Sequence, residues 1–228
     1  MAKLVWDAIG EHFYETGVDH VVLYRLDAQN AYSHGYAWNG VSSISESPSG
    51  GDANPIWADN IKYLNLRAAE EYGSTIECYT YPDEFAECNG EGQPTSGIAI
   101  GQQTRKTFGL SYRTIVGNDA QGNDLGYKLH LVYGCTASPS EKSYSTVNDS
   151  PEAGTFSFEI STVPVAIPGY KNTAILTIDS TKIDSTHMAA LEALLYGGDS
   201  TEATLPSPET VLTTLGLTYS EQTGQWSS

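Results

Sequence analysis

Three stretches, RKTFGLSYRTIV at 105–116, GYKLHLVYGCTA at 126–137 and TFSFEISTVPVA at 155–166, decide the fold class. In the first, Phe108, Leu110, Tyr112 and Val116 share one parity, while Thr107, Ser111 and Arg113 take the other. The second sets Tyr127, Leu129, Leu131 and Tyr133 against Lys128 and His130, and the third sets Phe156, Phe158 and Ile160 against Ser157, Glu159 and Ser161. Period two is the signature of a strand. One apolar and one polar side per strand predicts an antiparallel sheet with one face on a core and the other on water. The link 118–124, NDAQGND, has hairpin-loop chemistry, and it lacks the terminal bidentate Glu of a calcium loop.

Working outward, 18–26 and 35–47 predict strands, with Asn39-Gly40 read as a bulge inside the second. Residues 48–60, PSGGDANPIWADN, are dense in turn formers and predict a long loop carrying Ile56 and Trp57. Strand character resumes at 61–67 and 75–81, and 82–88 reads as a short acidic turn. A further strand is predicted at 174–179. The period then changes. Asp184 or Ser185 caps a helix with Met188, Leu191, Leu194 and Leu195 as its apolar stripe, ended by Gly197-Gly198. Ser207-Pro208-Glu209 opens a second helix that buries Val211, Leu212 and Leu215 and stops at Gly216. The reading is mainly β (α+β): an antiparallel β-sandwich or barrel-like subunit with one or two packed helices. Residues 1–17 are expected to be an irregular arm, 18–200 the β domain and 201–228 a C-terminal helix and tail.

The 228 residues carry 28 acids against 11 bases, a formal charge of -17. Tight nucleic-acid binding needs clustered Lys and Arg, so this balance argues against it. Charged residues make up 17%, below the usual ~25%, and the deficit is filled by small polar residues and 15 Tyr, a composition that suits sheet surfaces. Cys78, Cys88 and Cys135 are odd in number and widely spaced, which predicts buried free thiols in a reducing compartment. No secretory signal and no membrane span are expected, since acids interrupt both the opening residues and the 188–196 apolar run.

The search for chemistry returns little. Residues 101–107 form no phosphate loop, there is no nucleophile elbow, and the five His stand apart. Asp83, Glu84 and Glu87 could supply an acid pair for glycoside hydrolysis, but acids on a turn are more simply a solvated face.

Several blocks resemble a known family: Glu46–Gly50, Trp57–Asn65 and above all Thr80–Cys88, then Gly101–Arg113, Gly126–Cys135, Ala137–Lys142, Tyr144–Glu152 and Thr177–Lys182. Together they span roughly residues 5 to 183 and are similar to the major tail tube proteins of long, non-contractile bacteriophage tails, particularly those of phages of Gram-positive hosts. The resemblance implies a virion structural protein without catalysis, cofactor or metal. Its copies close into hexameric rings inside the host cytoplasm, and the rings stack into a tube through which genomic DNA leaves the capsid. The implied partners are further copies of the chain, a tape measure protein, a tail terminator and distal tail proteins; DNA passes without specific binding, and no membrane is involved.

Residue chemistry agrees with this independently. Exposed sheet edges are a liability unless something pairs with them, and a closed ring pairs them all. Pro48, Asp52, Pro55, Ile56 and Trp57 on the expected loop, with Trp6, Phe13 and Tyr14 on the arm, are candidate contacts between rings. An electronegative bore would keep phosphate from sticking, with Glu46, Glu77 and Glu159 as candidate lining residues, and Arg113 and Lys128 weakening the argument if they share that wall. The alternatives are a carbohydrate- or protein-binding β module that uses the aromatic surface, and a glycosidase-like enzyme built on Asp83 and Glu87.

Overall fold

A computed structural model describes residues 4–144, 146, 149 and 153–227. Part of the Tyr144–Glu152 block, residues 1–3 of the expected arm and Ser228 lie outside the described residues. In chain order the elements are β1 (Phe13–Leu26), β2 (Tyr32–Ala37), β3 (Val41–Glu46), β4 (Ser49–Gly50), β5 (Ala53–Ala58), β6 (Ile61–Arg67), β7 (Glu70–Glu71), β8 (Gly73–Cys78), α1 (Phe85–Cys88), β9 (Gly92–Thr95), β10 (Ile98–Ile100), β11 (Phe108–Asn118), β12 (Gly122–Ala137), β13 (Phe156–Thr162), β14 (Ile175–Asp179), α2 (Ser185–Tyr196), α3 (Pro208–Thr214), β15 (Thr218–Ser220) and β16 (Gln225–Ser227).

Eight strands make one antiparallel sheet in the order β2-β1-β11-β12-β13-β8-β3, with β14 also beside β12. β2 and β3 stand at opposite ends of that order, yet only Trp38, Asn39 and Gly40 separate them in the chain. The sheet therefore curls back on itself. Trp38 N–H donates to the Val21 carbonyl and Tyr79 N–H to that of Gly40, each at 2.8 Å. Asn39-Gly40 is thus the corner between two strands and not a bulge within one, and Gly40 sits at φ 77. The mainly β, sandwich-like fold with packed helices agrees with the sequence reading.

Two cores occupy the two faces. The inner one gathers Leu23, Ile76, Phe108, Leu110, Val132, Phe158 and Ile160 with all three cysteines, which are free and buried as expected. The helix α1 plugs one end of it. Its Phe85 is fully buried, with ring centroids 4.5 Å from Trp38, 4.9 Å from Phe158 and 5.6 Å from Phe108. The outer core packs Tyr24, Leu129, Leu131 and Tyr133 under Met188, Leu191 and Leu195 of α2 and Val211 of α3. This corrects the expectation of a wet side on β11, because the predicted helices cover it; on β12 they cover the predicted apolar side, and His130 of the predicted wet side faces Tyr112 of the inner core. Ser111 is buried beneath α2, its hydroxyl 3.0 Å from the Tyr24 hydroxyl, which in turn donates to the Leu195 carbonyl at 2.8 Å.

A bulge sorts the side chains of β12. Val132 and Cys135 both face the inner core despite opposite parity, and the register jumps from Leu110↔Val132 to Phe108↔Cys135. Gly134 takes up the jump at φ 63, where a Cβ would stand 2.2 Å from the Val163 carbonyl oxygen. Only glycine fits both the dihedral and the space.

The helices follow their caps. The Asp184 carboxylate accepts from Thr186 N–H at 2.9 Å, and Ser207 Oγ from Thr210 N–H at 3.3 Å. Leu194 departs from its predicted stripe and is 36% exposed, because the buried stripe turns through Leu191 to Leu195. Beyond α3, β15 and β16 form a small hairpin tied back by Trp226, whose Nε1–H donates to the Pro168 carbonyl at 2.9 Å.

Candidate functional site

The expected loop at 48–60 is a correction: it is half of a β-hairpin arm. β4 pairs with β7 at its base and β5 with β6 along its length. The tip is the two-residue turn Asp59-Asn60, both in the left-handed region at φ 51 and 62, as a tight hairpin turn requires. Pro55 stands opposite Asn65 on a ribbon with no third strand, the setting in which a strand tolerates proline.

Every residue from Asp52 to Glu71 is exposed. Trp57 is 66% exposed, Tyr63 65%, Ile61 62% and Leu66 55%; Ile56 opposes Leu64 on one face, and Trp57 points from the other. A two-stranded ribbon that is apolar on both faces has no core of its own and is marginal in water. Of the predicted contacts, Pro48 and Asp52 lie at the base of this arm, and Pro55, Ile56 and Trp57 lie on β5. The β6 half, with Ile61, Tyr63, Leu64 and Leu66, was not singled out from sequence, although its alternating apolar residues were already read as a strand.

The root of the arm is clamped. Glu46 ends β3 and Tyr72 precedes β8. The Tyr112 hydroxyl donates to Glu46 Oε1 at 2.5 Å and lies 3.2 Å from the Tyr72 hydroxyl. Beneath them His130 stacks on Tyr112, ring centroids 4.6 Å apart at 7°. Its Nε2 meets Thr114 Oγ1 at 3.0 Å and its Nδ1 meets Thr177 Oγ1 at 3.3 Å. Burial lowers the His130 pKa below the free value and pushes the Tyr72 phenol up to about 12.

The amino-terminal segment lies at the same end. β1 begins at Phe13, earlier than the predicted strand start, and pairs Phe13 with Asn118. Asp119 accepts from Gly10 N–H at 3.0 Å and sits 3.1 Å from His12 Nδ1, and the Asn118 amide donates to the Gly10 carbonyl at 2.9 Å. The hydrogen bond to Asp119 raises the His12 pKa, and the same contact lowers that of Asp119. Trp6 is 74% and Phe13 64% exposed, and Phe13 and Tyr14 border a cleft of about 450 Å³ walled by Val116 and Leu125.

The three acids expected to line a bore do not share a face. Ile76 and Phe158 point into the inner core, so the neighbouring Glu77 and Glu159 point outward, onto the polar surface that also carries Ser43, Thr75, Ser157 and Ser161. Among the described residues these strands place no Lys or Arg on that surface, and here the predicted one-sided strand is found. Glu46 has the parity of Ile44 and turns inward to Tyr112. Arg113 and Lys128 lie elsewhere: Arg113 is forked onto Asp19 at 2.7 and 2.9 Å, and Lys128 is paired with Glu15.

At the opposite end of the barrel, Glu87 is held by Arg25 at 2.7 Å and Lys106 at 2.6 Å, and the contact with Lys106 lowers its pKa. A carboxylate pinned between two cations is held ionised, which speaks against Glu87 as the proton donor of an Asp83/Glu87 pair. Among the described residues, no three His, Cys, Asp or Glu converge as metal ligands would. No protein-family model matches the chain, and no curated protein matches it.

Proposed function

We propose that the protein is a self-assembling structural subunit whose copies form rings that stack into a hollow tube, as the tail tube proteins it resembles do. The observation that carries this reading is the arm: twenty consecutive exposed residues, 52–71, built as a regular hairpin whose apolar side chains pack against nothing beyond the arm among the described residues. A curled sheet with two packed cores has no need of such an element for its own stability. A neighbouring copy that buries it would supply the third layer it lacks.

The polar outer face of β3, β8 and β13 supports the conduit part of the reading. A wall with Glu77 and Glu159, small hydroxyl residues and no base would repel phosphate at short range, within a Debye length of roughly 8 Å. Glu46 has no part in that wall, since its carboxylate is engaged at the root of the arm.

The test replaces residues 49–71 with a short Gly-Ser turn. The variant should fold with native circular dichroism and remain monomeric, while the full chain forms rings or tubes in negative-stain micrographs. Tubes from the armless variant would overturn the role given to the arm. Glu77→Lys with Glu159→Lys should leave tubes intact and impede DNA passage; unimpaired delivery would remove that face from the bore.

A further inference from the structure

The arm joins the sheet through two short legs, 47–51 and 68–72. The β3–β8 ladder ends with Ser47 N–H donating to the Gly73 carbonyl at 2.8 Å. Beyond it, among the described residues, Ser49↔Glu71 and Gly50↔Glu70 are the only backbone pairs before the β5–β6 ladder begins at Ala53↔Arg67. Pro48 has no N–H to add, and Gly50 and Gly51 turn the chain at φ 79 and 73. A ribbon that stands on two such rungs, with every residue beyond them exposed, is free to swing unless side chains hold its legs.

One phenol holds both legs. Tyr112 of β11 belongs to the inner core and is 3% exposed. Its hydroxyl has a single proton, which goes to Glu46 Oε1 at 2.5 Å, so the 3.2 Å contact with Tyr72 is made by the Tyr72 hydroxyl donating to Tyr112 Oη. The chain of hydrogen bonds thus runs from the returning leg, through the sheet, to the end of β3, and each bond strengthens the next. Thr162 at the end of β13 adds a further tie, its hydroxyl donating to the Tyr72 carbonyl at 2.7 Å. On the ring of Tyr112 stacks His130, itself fixed by Thr114 of β11 and Thr177 of β14. The phenol is held in place from behind, and the base of each leg carries one polar group bonded to it.

We infer that Tyr112 is the positioning residue of the arm: its hydroxyl, bonded to Glu46 and Tyr72 at once, sets the direction in which the arm leaves the sheet before a second copy arrives. The use of the arm rests on the self-assembly reading above; what is added is the group that holds it ready. A swinging ribbon loses its freedom on docking, a cost set against every contact it makes, whereas a ribbon fixed beforehand does not. Loss of one atom, Tyr112 Oη, would release both legs and leave the aromatic ring packed in the inner core.

The test compares full chains carrying Tyr112→Phe with a matched control, Tyr24→Phe, which removes a buried hydroxyl bonded to Ser111 and the Leu195 carbonyl and to neither leg. Spin labels at Lys62→Cys on β6 and Ser157→Cys on β13, both exposed, report the direction of the arm in dilute protein, since the native cysteines are buried. The distance distribution should be narrow with Tyr112 intact, equally narrow in Tyr24→Phe and broad in Tyr112→Phe. Light scattering over a concentration series, with micrographs of the same unlabelled samples, should show Tyr112→Phe raising the concentration needed for assembly roughly tenfold and Tyr24→Phe changing it less than about twofold. Glu46→Ala, at an exposed position, replaces Tyr112→Phe if that variant folds poorly and should have the same two effects. Glu46→Gln keeps an acceptor oxygen and should stay within about threefold of the unmutated chain. A distribution already broad with Tyr112 intact, one that stays narrow in Tyr112→Phe and Glu46→Ala, or one that broadens equally in Tyr24→Phe overturns the inference and leaves the self-assembly reading standing. An assembly concentration unmoved beside a broadened distribution does the same. A chain that stays monomeric at every concentration overturns the self-assembly reading, while the widths still decide whether Tyr112 sets the arm.

Discussion

Phe85 and Trp57 are large aromatic residues a short distance apart in the chain with opposite fates: one is 0% exposed at the plug of the barrel, the other 66% exposed on the arm. The inner core spends its apolar residues on one another, through rings 4.5 to 5.6 Å from Phe85. The arm has a comparable apolar content and places it where nothing in the subunit can use it. A large exposed patch marks an interaction surface, so the contrast separates residues that fold the subunit from residues that join it to others.

That separation can be broken most forcefully at the plug. Phe85→Ala should cost about 3–5 kcal/mol of folding stability, read as a fall in the urea midpoint, and a loss below 1 kcal/mol would mean that α1 does not close the core. The bulge comes next. Gly134→Ala must hold φ 63 and displace the Val163 carbonyl, for a loss of about 1–3 kcal/mol. Smaller again is the acid response of the clamp beneath the arm. His130 is buried among Thr114, Thr177, Tyr112, Glu46, Glu15 and Lys128, and its lowered pKa means that the native state favours the neutral ring. This contribution is fully present above the free His value of about 6.5 and is lost as pH falls below it. The urea midpoint should therefore drop between pH 7.5 and 5.5, and His130→Gln should flatten the drop; an unchanged drop would assign it to other groups. The smallest effect on folding belongs to the arm. Trp57→Ser with Tyr63→Ser should change stability by less than about 0.5 kcal/mol while abolishing assembly, measured by urea titration and light scattering.

How far these features could be read from sequence follows the same divide. The period-two pattern of 105–166 fixed the central strands and the sheet because each side chain answers to its immediate neighbours. The caps at Asp184 and Ser207 fixed the starts of the helices for the same reason. The burial of polar positions on both faces of β11 and β12 was not legible, because Ser111 and His130 mimic a wet side and only tertiary packing shows that the helices enclose the first and the arm root the second. Asn39-Gly40 reads equally well as a bulge or a corner; the choice depends on β3 pairing with β8 far along the chain. In the arm, the glycines and prolines at 48–55 masked the first strand, and the Asp59-Asn60 turn signal went unused because a two-residue turn carries meaning only when both flanks are strands. The acids show the limit most plainly. Parity separates Glu77 from its buried neighbour Ile76, but only the register across β3 and β8 reveals that Glu46 turns inward to Tyr112.

Amide hydrogen exchange of the 53–67 ribbon, followed in dilute and in concentrated full-length protein, bears most directly on the claim that the arm is made for a second copy. The account predicts rapid exchange along β5 and β6 in dilute solution, beside a protected β11 and β12, and strong protection of the ribbon once particles appear in micrographs. Exchange of the ribbon that stays rapid in assembled particles, or that is already as slow as the barrel in the free subunit, would contradict it.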